Sequence, residues 1–322
     1  MNGFPLGNRK IRLAMLGMVD GNGHPYSWSA IFNGYDREAM AKCPFSGIPQ
    51  YLFREPYENL AIPGAAVTHI WTDDPKDAED VAKASLIPNI IRRPEDAIGN
   101  VDAVIIATDK GYEHVARCRP FVEAGLPVFV DKPMVDAEED LRTFSGWVQT
   151  GAPILTSSCM RYAKEYLPYR LSHSELGSLR YVTISMAKTW ERYGIHAMEG
   201  IYPILGPGFI SAQNIGTKER NIVHMTHSCG ADAVAAVTGD MYGGFGAMQL
   251  VGTQNSAQVL FGDTFFAFRS QLAAFIDYLR TGERPFPFSE TVELMKIIIA
   301  GIRSREEGGR RVEIAEIAGE IS

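Results

Sequence analysis

Short apolar runs recur through the first half of the chain, each followed by a polar turn and a stretch with helical spacing. The run Ile11 to Gly17 (IRLAMLG) is compact, apolar and closed by glycine, as a buried parallel strand feeding a tight turn would be. Ala66 to Trp71 (AVTHIW) precedes TDDPKDAEDVAKA, and Ala103 to Ala107 (AVIIA) precedes TDKGYEHVARCRPFVEAG. A fourth run, Val128 to Val130, ends at Asp131-Lys132-Pro133, and a fifth, Ile154 to Ser157, follows AEEDLRTFSGWVQ. This alternation predicts an α/β architecture with a right-handed doubly wound parallel sheet. Ligands collect at the carboxyl ends of such strands, so Gly17, Thr72, Thr108, Asp131 and Ser158 are expected around one crevice.

Beyond residue 160 or so the rhythm changes. After LRYVTISMAKTW, the segments NIVHMTH, AVAAVTGD, GGFGAMQLVG and SAQVLFG are bounded by Gly, Asn and Asp, as in an antiparallel meander. Helical patterns return in FRSQLAAFIDYLRTG, closed by Gly282, and in SETVELMKIIIAGIRSREEG, where Ser289 is the expected cap. The reading is a dinucleotide-binding domain over residues 1–157 and a C-terminal α+β domain over 158–322. The second carries a large, mostly antiparallel sheet and is expected to serve substrate binding and oligomerisation.

Composition narrows the function classes. At 322 residues two cores are expected, and 46% hydrophobic with 21% charged residues is an ordinary globular balance. A formal net charge of -7 argues against nucleic acid as a partner, since phosphate backbones are bound by clustered Lys and Arg. Cys43, Cys118, Cys159 and Cys229 show no C-x-x-C or paired zinc-ligand spacing, which fits reduced thiols in a cytoplasmic protein. No stretch reaches membrane length, so no membrane partner is expected.

Candidate chemistry sits at the strand ends. Gly17, Gly21 and Gly23 follow the first strand, where glycine lets backbone N–H groups approach a pyrophosphate. Their spacing differs from G-x-G-x-x-G, and the loop could equally be a plain turn. Asp73 or Asp74 could bond an adenosine ribose and choose NAD by repelling a ribose phosphate, although Asp74 before Pro75 also suits a helix cap. The intervening 24–65 segment, rich in aromatics and proline, reads as a packed surface excursion, part of which could line a pocket. Lys132 lies at a buried strand end where an unpaired ammonium is costly, so a proton-handling role at a substrate hydroxyl is favoured over a structural one. Tyr193, His196 and Glu199 recur at spacings of three and share one helix side, and His196 is a candidate base or hydrogen-bond partner. His224 and His227 fall three apart on a strand and so point to opposite faces, which argues against a metal site. Ser157, Ser158 and Cys159 lack a nucleophile elbow and read as strand-end polar contacts.

With these residues placed, the chain resembles the Gfo/Idh/MocA oxidoreductases, named for glucose-fructose oxidoreductase and inositol dehydrogenase. The likeness is carried by AVIIATDKGYEHVARCRPFVEAGLPVFVDKPM, by Arg161-Tyr162 before LGSLRYV, by GIHAMEGIYPILG, and by FRSQLAAFIDYLRTGERPFPFSETVELMKIIIAGIRS. It implies a Rossmann domain, NAD or NADP as cofactor, and hydride transfer at a secondary hydroxyl of a sugar, cyclic polyol or sugar acid. Asp131-Lys132-Pro133 matches the family's Glu-Lys-Pro triplet, which implies that Lys132 is catalytic with His196. Thr108 and His114 match cofactor-side residues, alongside Gly17, Gly21, Gly23, Thr72, Asp73, Asp131 and Pro133. Arg161, Trp190, Arg192, Tyr193 and Glu199 are the candidate substrate contacts. The family often has Asp four residues before the helix histidine, where this chain has Arg192, leaving Glu191, Tyr193 or Glu199 as stand-ins or Arg192 as an anion binder. The resemblance also implies a homodimer or homotetramer. Two alternatives stay open: a non-catalytic sensor of the same fold, and a redox-neutral enzyme with a tightly held cofactor.

Overall fold

The computed structural model describes residues 3–319. Its first sheet contains β1 (Ile11–Leu16), β2 (Ala65–Trp71), β3 (Asn89–Ile90), β4 (Ala103–Ile106), β5 (Val128–Val130) and β6 (Ile154–Thr156), all parallel, in the order β3-β2-β1-β4-β5-β6. The two-residue β3 carries no apolar run and was not anticipated. Helices α1 (His24–Asn33), α2 (Arg37–Met40) and α3 (Gly47–Leu52) occupy the long segment after β1. They are followed by α4 (Pro75–Ala84), α5 (His114–Glu123) and α6 (Glu138–Gln149). Asp74 caps α4, accepting a hydrogen bond from the Lys76 amide.

Both faces of this sheet are buried, which is why its strands read as unbroken apolar runs. Alternate residues point to opposite sides. Leu16, Val104, Ile106, Val128 and Val130 join one core, and Leu13, Met15, Ile105, Phe129 and Leu155 join the other.

The second half begins with α7 (Leu167–Leu171), β7 (Leu179–Ala187) and α8 (Trp190–Leu205), followed by β8 (Phe209–Asn214), β9 (Arg220–His227), β10 (Asp232–Thr238), β11 (Ala247–Gly252) and β12 (Ser256–Leu260). Two long helices, α9 (Thr264–Thr281) and α10 (Phe288–Glu306), precede β13 (Val312–Glu313). The seven strands are ordered β12-β11-β7-β10-β9-β8-β13. Most pairs are antiparallel, but β7 lies between β10 and β11 and runs parallel to β10, so the sheet is not the simple meander expected. Strand order here is set by long-range pairing, which turn residues do not encode. Two local expectations divide likewise: Gly282 ends α9 in the left-handed conformation, while α10 starts from Pro287 and contains Ser289 within its first turn. Among the described residues, no helix is long and apolar enough to cross a membrane.

Helix α9 belongs to the second half in sequence but packs on the first sheet. Leu272, Phe275, Ile276 and Leu279 share a core with β1, β2 and β4, and the Phe275 ring centroid lies 5.2 Å from that of Phe129 on β5. Because Phe275 is fully buried, Phe275→Ala is expected to cost about 3–5 kcal/mol. Urea unfolding measures this, and a loss below about 1 kcal/mol would mean that α9 is not an integral wall of the first core.

Candidate active site

Lys132 lies two residues beyond the end of β5 and is joined to Pro133 by a cis peptide bond. Only 1% of it is exposed, and its ammonium lies 3.4 Å from Asp109 Oδ2. Asp109 follows β4 and is the buried hub of the site. Arg192 on α8 grips the same carboxylate through Nε at 3.1 Å and Nη2 at 2.6 Å. Burial alone would raise the Asp109 pKa, but Lys132 and then Arg192 outweigh it and pull the carboxyl down to about 2. Burial likewise lowers Lys132, yet the Asp131 and Asp109 carboxylates more than offset it and leave the ammonium above its ordinary value. The sequence contains no carboxylate four residues before His196. Asp109 supplies one from another element and converts Arg192 from a free anion binder into its partner.

Asp131 is fully buried. One carboxylate oxygen accepts from Asn22 Nδ2 at 3.0 Å and from His24 Nδ1 at 2.6 Å, and the other accepts from the Lys132 amide at 2.7 Å. His24 opens α1 and stacks on Trp28, with centroids 4.2 Å apart. From the far side, Lys188 donates to the Gly21 carbonyl at 2.7 Å, and Arg192 Nη2 donates to the Asp20 carbonyl at 3.1 Å. Lys188 holds φ +63°, a left-handed conformation that costs a residue with a side chain roughly 1–2 kcal/mol. Burial, then Lys132 and Arg192, lowers its pKa to about 8. Tyr193 lies between the two lysines, its ring centroid 4.9 Å from Lys132 Nζ and 4.4 Å from Lys188 Nζ.

His196 is 3% exposed and sits behind Tyr193, with ring centroids 4.6 Å apart. Its Nδ1 is 2.6 Å from the Ser158 hydroxyl. Burial, reinforced by Lys132, pushes its pKa well down, so the ring is neutral. A cavity of about 660 Å³ opens in front of this group, lined by His24, Tyr51, Lys188, Tyr193 and Phe268 among others. Phe45, Ile48 and Tyr51 from the long 24–65 segment form one wall, so that segment does line the pocket.

The remaining expected residues divide by place. Gly17 adopts φ +88°, and a Cβ there would lie 2.7 Å from Thr108 Cγ2, so only glycine suits the turn. Gly21 and Gly23 both border the cavity. Gly23 stands at the N-terminus of α1, where the neighbouring Asn22 Oδ1 accepts from the His24 amide at 2.9 Å. Thr72 bonds the Asp74 carbonyl, and Asp73 pairs with Arg117 at 2.8 Å. Thr108 and His114 are both fully buried. His114 Nδ1 donates to the Met134 carbonyl at 2.9 Å, and Nε2 lies 3.2 Å from the Thr108 hydroxyl, so His114 braces the loop. Trp190 is buried between α8 and α10 with its indole donating to the Ile298 carbonyl, a packing position and not a cavity wall. Arg161 and Glu199 form a buried ion pair extended to Glu290, which uses both side chains inside the fold. His224 pairs with Asp232 and His227 contacts Cys229, so the two histidines turn to different partners.

A nicotinamide dinucleotide fits these residues. A second cleft, about 240 Å³ and mostly apolar, lies beside the ends of β1, β2 and β4. Trp71, Pro94, Ile106 and Phe121 line it and Arg117 flanks it, so a planar base would be held next to Asp73. At the start of α1 the His24 amide is taken by Asn22 Oδ1 and Pro25 has no N–H, so a pyrophosphate would meet the backbone of the glycine turn more than the helix end. Asp109, His24, Asn22 and Lys188 were not singled out from the sequence. The only signal for Asp109 was its place one residue beyond Thr108 at a strand end.

The depressed Asp109 carboxyl makes part of the stability acid-labile. Its contribution is present above the unfolded value near 4 and is lost as pH falls towards 2. It should amount to about 2 kcal/mol at neutral pH. The stability gap between the protein and Asp109→Asn is therefore expected to be largest near pH 7 and to shrink below pH 4. Denaturant unfolding measured at several pH values checks this, and a gap equal at pH 3 and pH 7 would overturn it.

The Gfo/Idh/MocA family model, described as an oxidoreductase family with an NAD-binding Rossmann fold, matches residues 51–146. No sequence among curated proteins matches the chain. Three of the solved structures that share the fold illustrate the likeness. The scyllo-inositol dehydrogenase from Lactobacillus casei, with bound NAD(H) and scyllo-inositol, is 14% identical, with a TM-score of 0.74 over 95% of this chain and 100% of that one. The myo-inositol 2-dehydrogenase from Lactobacillus plantarum is 14% identical, with a TM-score of 0.73 over 95% and 99%. GenD2 from gentamicin A biosynthesis, in complex with NAD, is 15% identical, with a TM-score of 0.72 over 95% and 96%. The family match begins at residue 51, beyond the glycine turn and most of the pocket-lining segment. Over residues 51–146 the chain thus matches the Gfo/Idh/MocA oxidoreductase model, and along nearly its whole length it shares the two-sheet fold of these dehydrogenase structures.

Proposed function

We propose that the protein is a dehydrogenase that uses NAD or NADP to oxidise a secondary hydroxyl of a sugar, cyclic polyol or sugar acid. The observation that carries this reading is a buried lysine, Lys132, held by Asp109 at the carboxyl edge of the parallel sheet, behind a cavity of about 660 Å³. That volume suits a monosaccharide-sized ligand. The inositol dehydrogenases of the same fold support the substrate class, because one is described with NAD(H) and scyllo-inositol bound.

When bound, a nicotinamide supplies the hydride acceptor for the carbinol carbon. Gly17, Gly21 and Gly23 would hold the pyrophosphate, Thr72 and Asp73 the adenosine ribose, and Thr108, Asp131 and Pro133 the nicotinamide end, with His114 bracing them. Asp73 favours NAD by repelling a ribose phosphate, while Arg117 beside it reduces that repulsion. Lys132 and His196 form the proposed catalytic pair. Lys132 remains protonated, because Asp131 and Asp109 raise its pKa, and it stabilises negative charge developing on the carbinol oxygen. His196 is neutral and offers a hydrogen bond from beneath Tyr193. Tyr193 lines the cavity, and Arg192, bound to Asp109, braces the glycine turn beside it. Residues 1–157 form the proposed cofactor domain and 158–322 the substrate domain, whose open sheet face, lined by Val234, Ala236 and Leu260, suits a homodimer or homotetramer.

Nicotinamide reduction followed across polyols, sugars and sugar acids, with NAD and with NADP, tests the reading. At least one substrate is expected to turn over, and Lys132→Met should lower kcat by roughly 100-fold or more while cofactor binding persists. Turnover unaffected by Lys132→Met would overturn the catalytic assignment, and cofactor binding without turnover of any alcohol would overturn the dehydrogenase reading.

A further inference from the structure

Oxidation of an alcohol releases a proton as well as a hydride, and neither member of the proposed pair is suited to carry that proton away. Lys132 is 1% exposed and already holds its proton between two carboxylates. His196 is 3% exposed, lies behind Tyr193, and has Nδ1 against Ser158. The position four residues before His196 is Arg192, a cation committed to Asp109.

His24 has the missing properties. Its side chain is 12% exposed and lines the cavity. A carboxylate only accepts, so the 2.6 Å contact with Asp131 fixes the proton on Nδ1 and leaves the lone pair of a neutral ring on Nε2. Nε2 makes no hydrogen bond to any described residue. The ring is clamped in this orientation by stacking on Trp28 and by the edge of Phe268, with centroids 4.2 and 5.3 Å away. Asn22 steadies both partners, donating to Asp131 Oδ2 at 3.0 Å and accepting from the His24 amide at 2.9 Å.

We infer that His24, oriented by Asp131, is the general base of the reaction and takes the substrate hydroxyl proton on Nε2. This rests on the dehydrogenase reading. The carbinol C–H and O–H bonds break and C=O forms. The hydride, with its electron pair, reduces the oxidised nicotinamide, and the proton goes to Nε2. The resulting imidazolium is paired with Asp131 and returns its proton to water through the cavity mouth. Lys132 stays protonated throughout, which gives the two groups separate tasks on one oxygen. The charged and titratable groups around His24 are Asp131 and Lys132 after β5, Asp109 after β4, Lys188 just before α8, Tyr193 and His196 on α8, and Tyr51 on α3.

The tests read both the ring and the rate. In the free protein, ring nitrogen NMR is expected to find neutral His24 protonated on Nδ1, and Asp131→Asn should remove that preference. An Nε2-protonated ring, or a tautomer indifferent to Asp131→Asn, overturns the dyad whether or not a substrate has been found. With a substrate, His24→Ala should lower kcat by about 100-fold or more, abolish the acid limb of the kcat/KM profile and regain activity with added imidazole. Cofactor affinity should stay within about threefold. Loss of cofactor binding in step with rate, or an unchanged acid limb, would make His24 a binding or structural residue. If the wild type oxidises no alcohol, the dehydrogenase reading fails by itself, and the ring measurement still decides the His24–Asp131 pair.

Discussion

Two cations from opposite halves of the chain meet on one buried carboxylate. Lys132 reaches Asp109 from the end of β5, and Arg192 reaches it from α8. Leaving either cation unpaired at this depth would cost several kcal/mol, because the lost hydration is not replaced. The carboxylate therefore sets more than a local contact. With Asp109 gripping its guanidinium, Arg192 still extends a hydrogen bond to the Asp20 carbonyl, and Lys188 bonds the next residue, Gly21. The glycine turn is thus held from across the crevice by two side chains whose own positions depend on Asp109 or on the charges around it. The strained backbone at Lys188 is consistent with that demand, since the residue is kept in an unfavourable conformation at the edge of the site.

Much of the first sheet was legible because burial on both faces forces continuous apolar runs, and a run such as IRLAMLG needs no partner to be recognised. The exposed β3 carries no such signature. The place of β7 beside β10 was hidden for another reason: parallel pairing joins residues some fifty positions apart and leaves no mark on the turns. Within the site, Lys132 and His196 could be singled out because an ammonium at a buried strand end and an imidazole on a helix face are informative alone. Asp109 could not, since its meaning comes from Arg192, more than eighty residues away. Trp190 misled for the converse reason. An aromatic beside His196 suggests a pocket wall, yet the gaps at Gly194 and Gly301 draw the indole inward.

The long segment after β1 shows how an apparent surface excursion becomes a cavity wall. Its aromatic residues are not spread over the outside of the first domain. Phe45, Ile48 and Tyr51 fold back beside Gly23 and the start of α1, and the Tyr51 hydroxyl contacts Ser27. The family match begins within α3, so most of this wall lies outside the matched region. Its side chains give one side of the cavity an apolar surface, while Lys188 and His24 offer polar atoms nearby.

The placement of α9 has a consequence for how the molecule is made. One face of the parallel sheet is finished by Leu272, Phe275, Ile276 and Leu279, which the ribosome delivers only after more than four-fifths of the chain. Until then β1, β4 and β5 present Leu13, Ile105 and Phe129 without their final cover. A nascent first half is therefore an incomplete body with an apolar face awaiting a late helix. That interval is when chaperones, or a neighbouring nascent chain, would compete for the place α9 eventually takes.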